Sequence, residues 1–323
     1  MTQEKNNPIK LRTIFMGTSD FSESILQALI SAKYNVVSVY TQPDKKVGRK
    51  QELVKSAVKN LAEKNKIPVF DPVKFDAETI AKTKEQKPDL IIVAAYGRIL
   101  PKEVLELPGF GAINLHTSLL PAYRGPSPIQ NAILNGEKTT GVTMMLMNAG
   151  VDTGDILAQK ELAINEHDTT PNVSANLAKL ASSLLLENIP LLVKRDLKPK
   201  PQDNAHATLC QLIERTDGKI MWSDEAEAIY NRYRAFYSWP GIYTFWENNE
   251  VIKRIKLNKI SLLKSNPETK HHIGEVFLLG EDCGVQTLLG VIILQEVQLE
   301  GKDSVTIREF LNGYPNFVGS ILK

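Results

Sequence analysis

At 323 residues and 42% hydrophobic content, the chain has an ordinary globular composition and is long enough for two domains. A formal net charge of +2 excludes a globally basic surface, so a nucleic-acid partner would have to be met by a local basic patch. Two cysteines, Cys210 and Cys283, stand far apart with no CxxC or Cys/His spacing, which argues against a disulfide framework and against a zinc site.

The first residues, MTQEKNNPIK, contain a glutamate and no apolar stretch of the signal-peptide kind. No apolar run approaches the roughly 18 residues of a membrane span. A cytoplasmic protein without membrane association is therefore expected. LRTIFM (11–16) reads as a strand, followed by the turn GTSD and a helix with Phe21, Ile25 and Leu29 at i, i+4 and i+8. NVVSVYTQ is the next strand. PDKKVGRKQE then reads as a polar basic loop, ahead of a helix from about Ser56 to Lys66 and the short strand in IPVFDP. DLIIVAAYG, GAINLH, GVTMMLMN and ILAQKELAI continue the series with helical segments between several of them, which predicts a doubly wound, mostly parallel sheet of Rossmann-like type. Thr170 and Pro171 mark the start of a further helix, which Pro190 is expected to bend or end. KRDLKPKPQDNAH (194–206) is charged, proline-containing and aperiodic, as a linker is. The expected division is a catalytic domain over 1–193, a linker over 194–208 and a second domain over 209–323. That second domain holds one helical stretch (SDEAEAIYNRYRAF) and short strands that predict a small β-barrel or sandwich.

The chemistry gathers at INLHTSLLPAYRG (113–125). Asn114 and His116 are spaced i, i+2, so on an extended strand they share a face. They stand at the carboxyl end of a central strand, where α/β proteins place their ligands. An amide there donates to a developing oxyanion and an imidazole exchanges a proton near neutral pH, a pair suited to acyl transfer. VDTGD (151–155) follows a neighbouring strand at what would be its carboxyl end, so either Asp152 or Asp155 is placed to pair with the histidine. Ser118, Leu119, Leu120 and Pro121 offer backbone groups and apolar surface for a flat heterocycle, and Tyr96, Gly97, Arg98, Ile99 and Leu100 could form the other wall. Met144, Met145 and Met147 read as core, and His271 with His272 as a solvated loop. GTSDF holds one glycine where a dinucleotide fingerprint needs three, which counts against a dehydrogenase.

Six segments in register, MGTSDF, TQPD, AAYGRILP, INLHTSLLPAYRG, GVTMMLMNAGVDTGDIL and RAFYSWPGIYT, resemble the methionyl-tRNA formyltransferases of the folate-dependent formyltransferase superfamily. The resemblance runs from about Lys10 to the end. It implies that Asn114, His116 and Asp152 are catalytic and that Ser118 to Pro121 bind tetrahydrofolate. It also implies a 10-formyltetrahydrofolate co-substrate, initiator Met-tRNA as acceptor, no metal, and an OB-like C-terminal barrel that binds tRNA. Lys45, Lys46, Arg49 and Lys50 fall at the family's tRNA-reading insertion loop, with Lys45 where an arginine often stands. The basic stretch KRIKLNK (253–259) offers a second phosphate surface. A monomer is expected. Two rivals remain at this stage: another folate-dependent formyltransferase or hydrolase acting on a small amine or water, and a non-catalytic nucleotide- or RNA-binding module.

Overall fold

The computed structural model describes residues 10–47, 51–265, 267 and 271–323. It divides into two compact units. The first takes the described residues up to Pro128, then Thr139–Ala163 and Ser174–Gln211; the second takes Ile129–Lys138, Ile164–Val173 and Leu212–Lys323.

The first unit is built on strands whose central members are nearly continuous apolar runs buried on both faces, whereas the two at the sheet edges are only partly buried. The strands are β1 (Thr13–Gly17), β2 (Val36–Tyr40), β5 (Val69–Phe70), β6 (Leu90–Ala94), β7 (Ala112–His116), β8 (Thr139–Leu146) and β9 (Ile156–Ala163); β3 (Lys45–Val47) and β4 (Glu52–Val54) form a separate hairpin. The seven-stranded sheet has the order β5-β2-β1-β6-β7-β8-β9. Strands β5, β2, β1, β6 and β7 are parallel, and β8 and β9 are antiparallel additions. Chain order reverses between β1 and β6, so the ligand-accepting crevice of such a sheet opens at their carboxyl ends, beside β7. The loops there are tied together: Thr18 Oγ1 and Gln42 Nε2 both donate to the Tyr96 carbonyl, at 3.1 and 3.0 Å.

Helices pack on the sheet by their apolar stripes. Asp20–Ser31 buries Phe21, Ile25 and Leu29, the expected i, i+4, i+8 set. Ala57–Lys64 is capped by Ser56, whose side chain accepts from the Lys59 backbone N–H at 3.0 Å. The long helix Thr170–Val193 contains Pro190 and runs on past it, so of the bend or end expected there the end does not occur. Pro190 lies in its last turn, where few hydrogen bonds remain to be lost, and its carbonyl still accepts from Lys194 at 3.2 Å. The first bond of this helix comes from the Thr169 carbonyl, so the cap stands one residue before Thr170. Met144 and Met145 are buried and Met147 packs against the core, as the apolar pattern predicts.

The second unit is an antiparallel, six-stranded curled half-barrel. Its strands are β10 (Ile242–Asn248), β11 (Val251–Leu263), β12 (Val276–Leu279), β13 (Asp282–Gln286), β14 (Val291–Leu299) and β15 (Ser304–Thr306). Register shifts around Asn258 bend β11. Its core centres on Trp246, against which Phe310, Tyr314 and Phe317 stand edge-on. His271 departs from the solvated loop expected for it. Its ring stacks on Phe277 at 3.7 Å, and its Nδ1 lies 3.0 Å from Glu275. His272 is exposed. No described helix is long and apolar enough to cross a membrane.

Candidate active site

Strand β7 places Asn114 and His116 on one face at the sheet's crevice end, and the carboxylate of Asp152 meets both. Asn114 Nδ2 donates to Asp152 Oδ1 at 3.4 Å, and His116 Nδ1 lies 3.6 Å from Asp152 Oδ2. The route differs from the one the sequence suggests. Strand β8 runs antiparallel to β7, pairing Leu146 with Ile113, so its carboxyl end lies beside the start of β7. Asp152 arrives because the β8–β9 loop closes over the sheet face, with Asp152 itself at φ 51°. Asp155 instead gives its carbonyl to Leu146 at 2.9 Å, as part of the loop's base. Spacing could not separate the two aspartates; the geometry selects Asp152.

Three groups outside the sequence-predicted set complete the arrangement. The Gly125 N–H donates to Asp152 Oδ2 at 2.9 Å. At φ 118°, with the Cys210 carbonyl where a Cβ would stand, this position accepts glycine alone without strain. The Tyr123 carbonyl takes a hydrogen bond from His116 Nε2 at 2.9 Å, since a carbonyl can only accept. Both ring nitrogens therefore face acceptors, and the ring is 6% exposed. The third group is Gln202, whose Nε2 donates to the carbonyls of Asp152 and Gly154 at 2.9 and 2.8 Å. Its Oε1 accepts from Arg124 Nε at 3.0 Å. One amide thus joins the loop that carries Asp152 to the turn that carries Tyr123 and Gly125. Residues 123–125 lie inside the quoted motif, but Gln202 sits in the aperiodic segment read as linker, where no pattern marks it. That segment is held on the first unit: Arg124 exchanges backbone hydrogen bonds with Thr208 and Cys210, and Lys200 with Ile156.

The loop after β7 is braced from within. Ser118 Oγ donates to the Ala122 carbonyl at 2.6 Å, and Thr143 Oγ1 links the Ser118 carbonyl to the Leu120 N–H. Gln159 donates to the Leu120 carbonyl at 2.8 Å, and the Leu120–Pro121 peptide is cis. Ser118 and Leu120 are buried, while Leu119 and Pro121 are half-buried. In the 96–100 loop, Tyr96 and Leu100 belong to the core, whereas Gly97 and Ile99 are exposed and Arg98 is half-buried, donating to the Val73 carbonyl. Burial pushes the Tyr96 phenol up to about 12, and its hydroxyl has no partner among the described residues.

The basic loop contains the β3–β4 hairpin, with Lys45 and Lys46 exposed on it. Arg49 and Lys50 lie outside the described residues. At the hairpin's foot, Lys59 Nζ bridges Asp44 and Asp71, each at 2.8 Å, which raises the Lys59 pKa. Strand β2, from which the hairpin departs, lies three strands from β7, about 14 Å away by strand spacing. Among the described residues no cluster of acidic, histidine or cysteine side chains could hold a metal ion.

Comparison with known proteins places this geometry in context. Residues 10–189 match the model of the formyl transferase family, and residues 212–315 that of the formyl transferase C-terminal domain. A methionyl-tRNA formyltransferase of Caldicellulosiruptor saccharolyticus is 40% identical, over 96% of this chain and 99% of its own. One from Halalkalibacterium halodurans is 41% identical, over 97% and 98%. Among solved structures, an N-formyltransferase of Helicobacter canadensis, in complex with folinic acid and dTDP-3-aminofucose, superposes with a TM-score of 0.65. At 22% identity, over 88% of this chain and 99% of its own, it shows a shared fold.

Proposed function

This chain belongs to the methionyl-tRNA formyltransferases, and from that premise we propose which of its residues carry the reaction. The enzyme formylates initiator Met-tRNA from a folate donor. We take the donor to be 10-formyltetrahydrofolate. The methionine amine attacks the formyl carbon, forming a C–N bond and a tetrahedral oxyanion. Collapse breaks the bond to the folate nitrogen, which leaves as tetrahydrofolate after gaining a proton. Asn114 Nδ2 spends one N–H on Asp152, which leaves its second for the oxyanion. His116 takes the amine proton and passes it to the leaving nitrogen. For Nε2 to take that proton it must stand without its own hydrogen, so the ring carries its N–H on Nδ1, toward Asp152, once the substrate amine displaces the Tyr123 carbonyl to which Nε2 donates. Asp152 orients both side chains and balances the charge on the protonated ring. The observation that carries this reading is the single carboxylate within 3.6 Å of both side chains.

Ser118–Pro121 and the 96–100 loop hold the folate on either side of the crevice. With Tyr96, Ser118, Leu120 and Leu100 buried, their part falls to backbone groups and to the exposed Gly97 and Ile99. Lys45, Lys46, Arg49 and Lys50 grip the tRNA backbone, and the domain over 209–323 binds tRNA as well, beyond the 194–208 linker. The enzyme acts as a monomer in the cytoplasm. Incubation with 10-formyltetrahydrofolate and charged Met-tRNA tests the assignment, with uncharged tRNA and glycinamide ribonucleotide as controls. Formyl transfer to charged Met-tRNA alone is expected; transfer to glycinamide ribonucleotide or to water would overturn it.

A further inference from the structure

A cavity of about 400 Å³ lies wholly in the second unit and takes no part in the chemistry above. Arg215, Trp239, Tyr243, Arg254, Lys256 and Gln298 line it. Its floor follows from strand register. Tyr243 on β10 faces Lys256 on β11, which faces Gln298 on β14, so a ring, an ammonium and an amide stand in a row across three strands. One cross-strand pair further, Arg254 faces Phe245 on the same side, and its guanidinium lies 5.4 Å over the Tyr243 ring. Among the described residues, none of the ion pairs involves Arg215, Arg254 or Lys256. One carboxylate, Glu300, also lines the cavity, and it accepts from the Arg254 backbone N–H at 3.3 Å. Trp239 stands at the mouth, 49% exposed. The cavity therefore sets a partly exposed indole beside three cations that make no ion pair among the described residues, the combination that receives a ligand both flat and anionic.

We propose that this cavity takes one unstacked nucleotide, its base against the Trp239 indole and its phosphate on Arg254 and Lys256. The volume falls within the roughly 300–1,000 Å³ of small-molecule sites, so it admits a nucleotide and excludes a duplex. Gln298 offers both donor and acceptor to a base edge. The proposal rests on tRNA being the acceptor, which supplies unpaired nucleotides; a free mononucleotide has the same chemistry and is separated by the test.

Trp239 reports on its own site. The chain has three tryptophans, and the other two, Trp222 and Trp246, are buried. The full chain is titrated with tRNA, a single-stranded oligoadenylate, AMP and duplex RNA while tryptophan emission is followed. tRNA and the single strand quench it, and the duplex does not. Trp239→Ala abolishes the quench and weakens binding of the single strand on the order of 10- to 100-fold, the loss of one stacking platform; Trp239→Phe retains most of the affinity. Because the tryptophan variant could disturb the turn at Pro240, Arg254→Gln with Lys256→Gln gives an independent arm. It lowers the log-log salt slope by about 0.7 per lost phosphate contact while leaving thermal unfolding unchanged. Quenching by AMP without quenching by oligoadenylate keeps the nucleotide chemistry and assigns the site to a free mononucleotide. Equal quenching by duplex, or none at tRNA concentrations that saturate a filter-binding assay, overturns the proposal. Formylation of Met-tRNA by the wild type, scored separately, fails only if the acceptor assignment is wrong.

Discussion

The Asp152 carboxylate accepts from Asn114 and Gly125 and pairs with His116, so its two oxygens serve three groups. Removing any of those groups should leave the strand intact and the chemistry impaired. Asn114→Ala and His116→Ala are each expected to lower kcat on the order of 100-fold or more, with a native circular dichroism spectrum. Near-normal turnover by either folded variant would exclude it from the reaction. Asp152→Asn keeps the shape and one acceptor oxygen but loses the charge that balances a protonated ring and sets an NH2 against Asn114 Nδ2 or the Gly125 N–H, so kcat falls while KM for tRNA holds. Gln202 acts one step back, by fixing the two segments that bring Asp152, Tyr123 and Gly125 together. Gln202→Ala should lower kcat in the wild type and add little in the Asp152→Asn background. Losses that simply multiply would mean that Gln202 supports stability and not the carboxylate.

The β3–β4 hairpin shows how differently elements declare themselves. If it grips phosphate, neutralising Lys45, Lys46, Arg49 and Lys50 raises KM for Met-tRNA and flattens its salt dependence by about one unit of log-log slope per lost contact, with folate binding spared. Wild-type KM and slope in the quadruple variant would place the grip elsewhere. The hairpin itself was hidden in the sequence, because its three-residue strands are polar and carry no period-2 apolar pattern. β15 was missed for the same reason of length. By contrast β1, β6 and β7 were legible, since strands buried on both faces must be apolar throughout. Their direction was not: an apolar run reads alike either way, so the reversal at β8 surfaced only in the register of Leu146 against Ile113. The proposed catalytic trio was readable as residue types, whereas its fixing groups are a carbonyl, an amide N–H and a glutamine in an aperiodic segment, none of which periodicity can mark.

Across the molecule each unit carries one buried thiol, Cys210 and Cys283. Burial raises both pKa values, that of Cys283 to about 12. Neither should react with iodoacetamide near pH 8 in the native protein, and both should after unfolding in guanidinium; native labelling would show that a unit opens locally. The sign of the linkage is fixed by the raised values. The contribution of Cys283 is fully present below the ordinary thiol value of 9.0 and is lost as pH climbs toward about 12, so Cys283→Ala should flatten the alkaline fall of Tm. The docked segment 200–210 bears on how this architecture can be recombined. A chimera spliced between relatives near residue 194 would inherit its Gln202, Thr208 and Cys210 from the foreign half and set them against a native Arg124 and Ile156. A splice after Gln211 carries over every strut of the active site, but it leaves Ile129–Lys138 and Ile164–Val173, which belong to the second unit, on the other side, so Thr170 and Asp168 would meet a foreign Ala235 and Arg234.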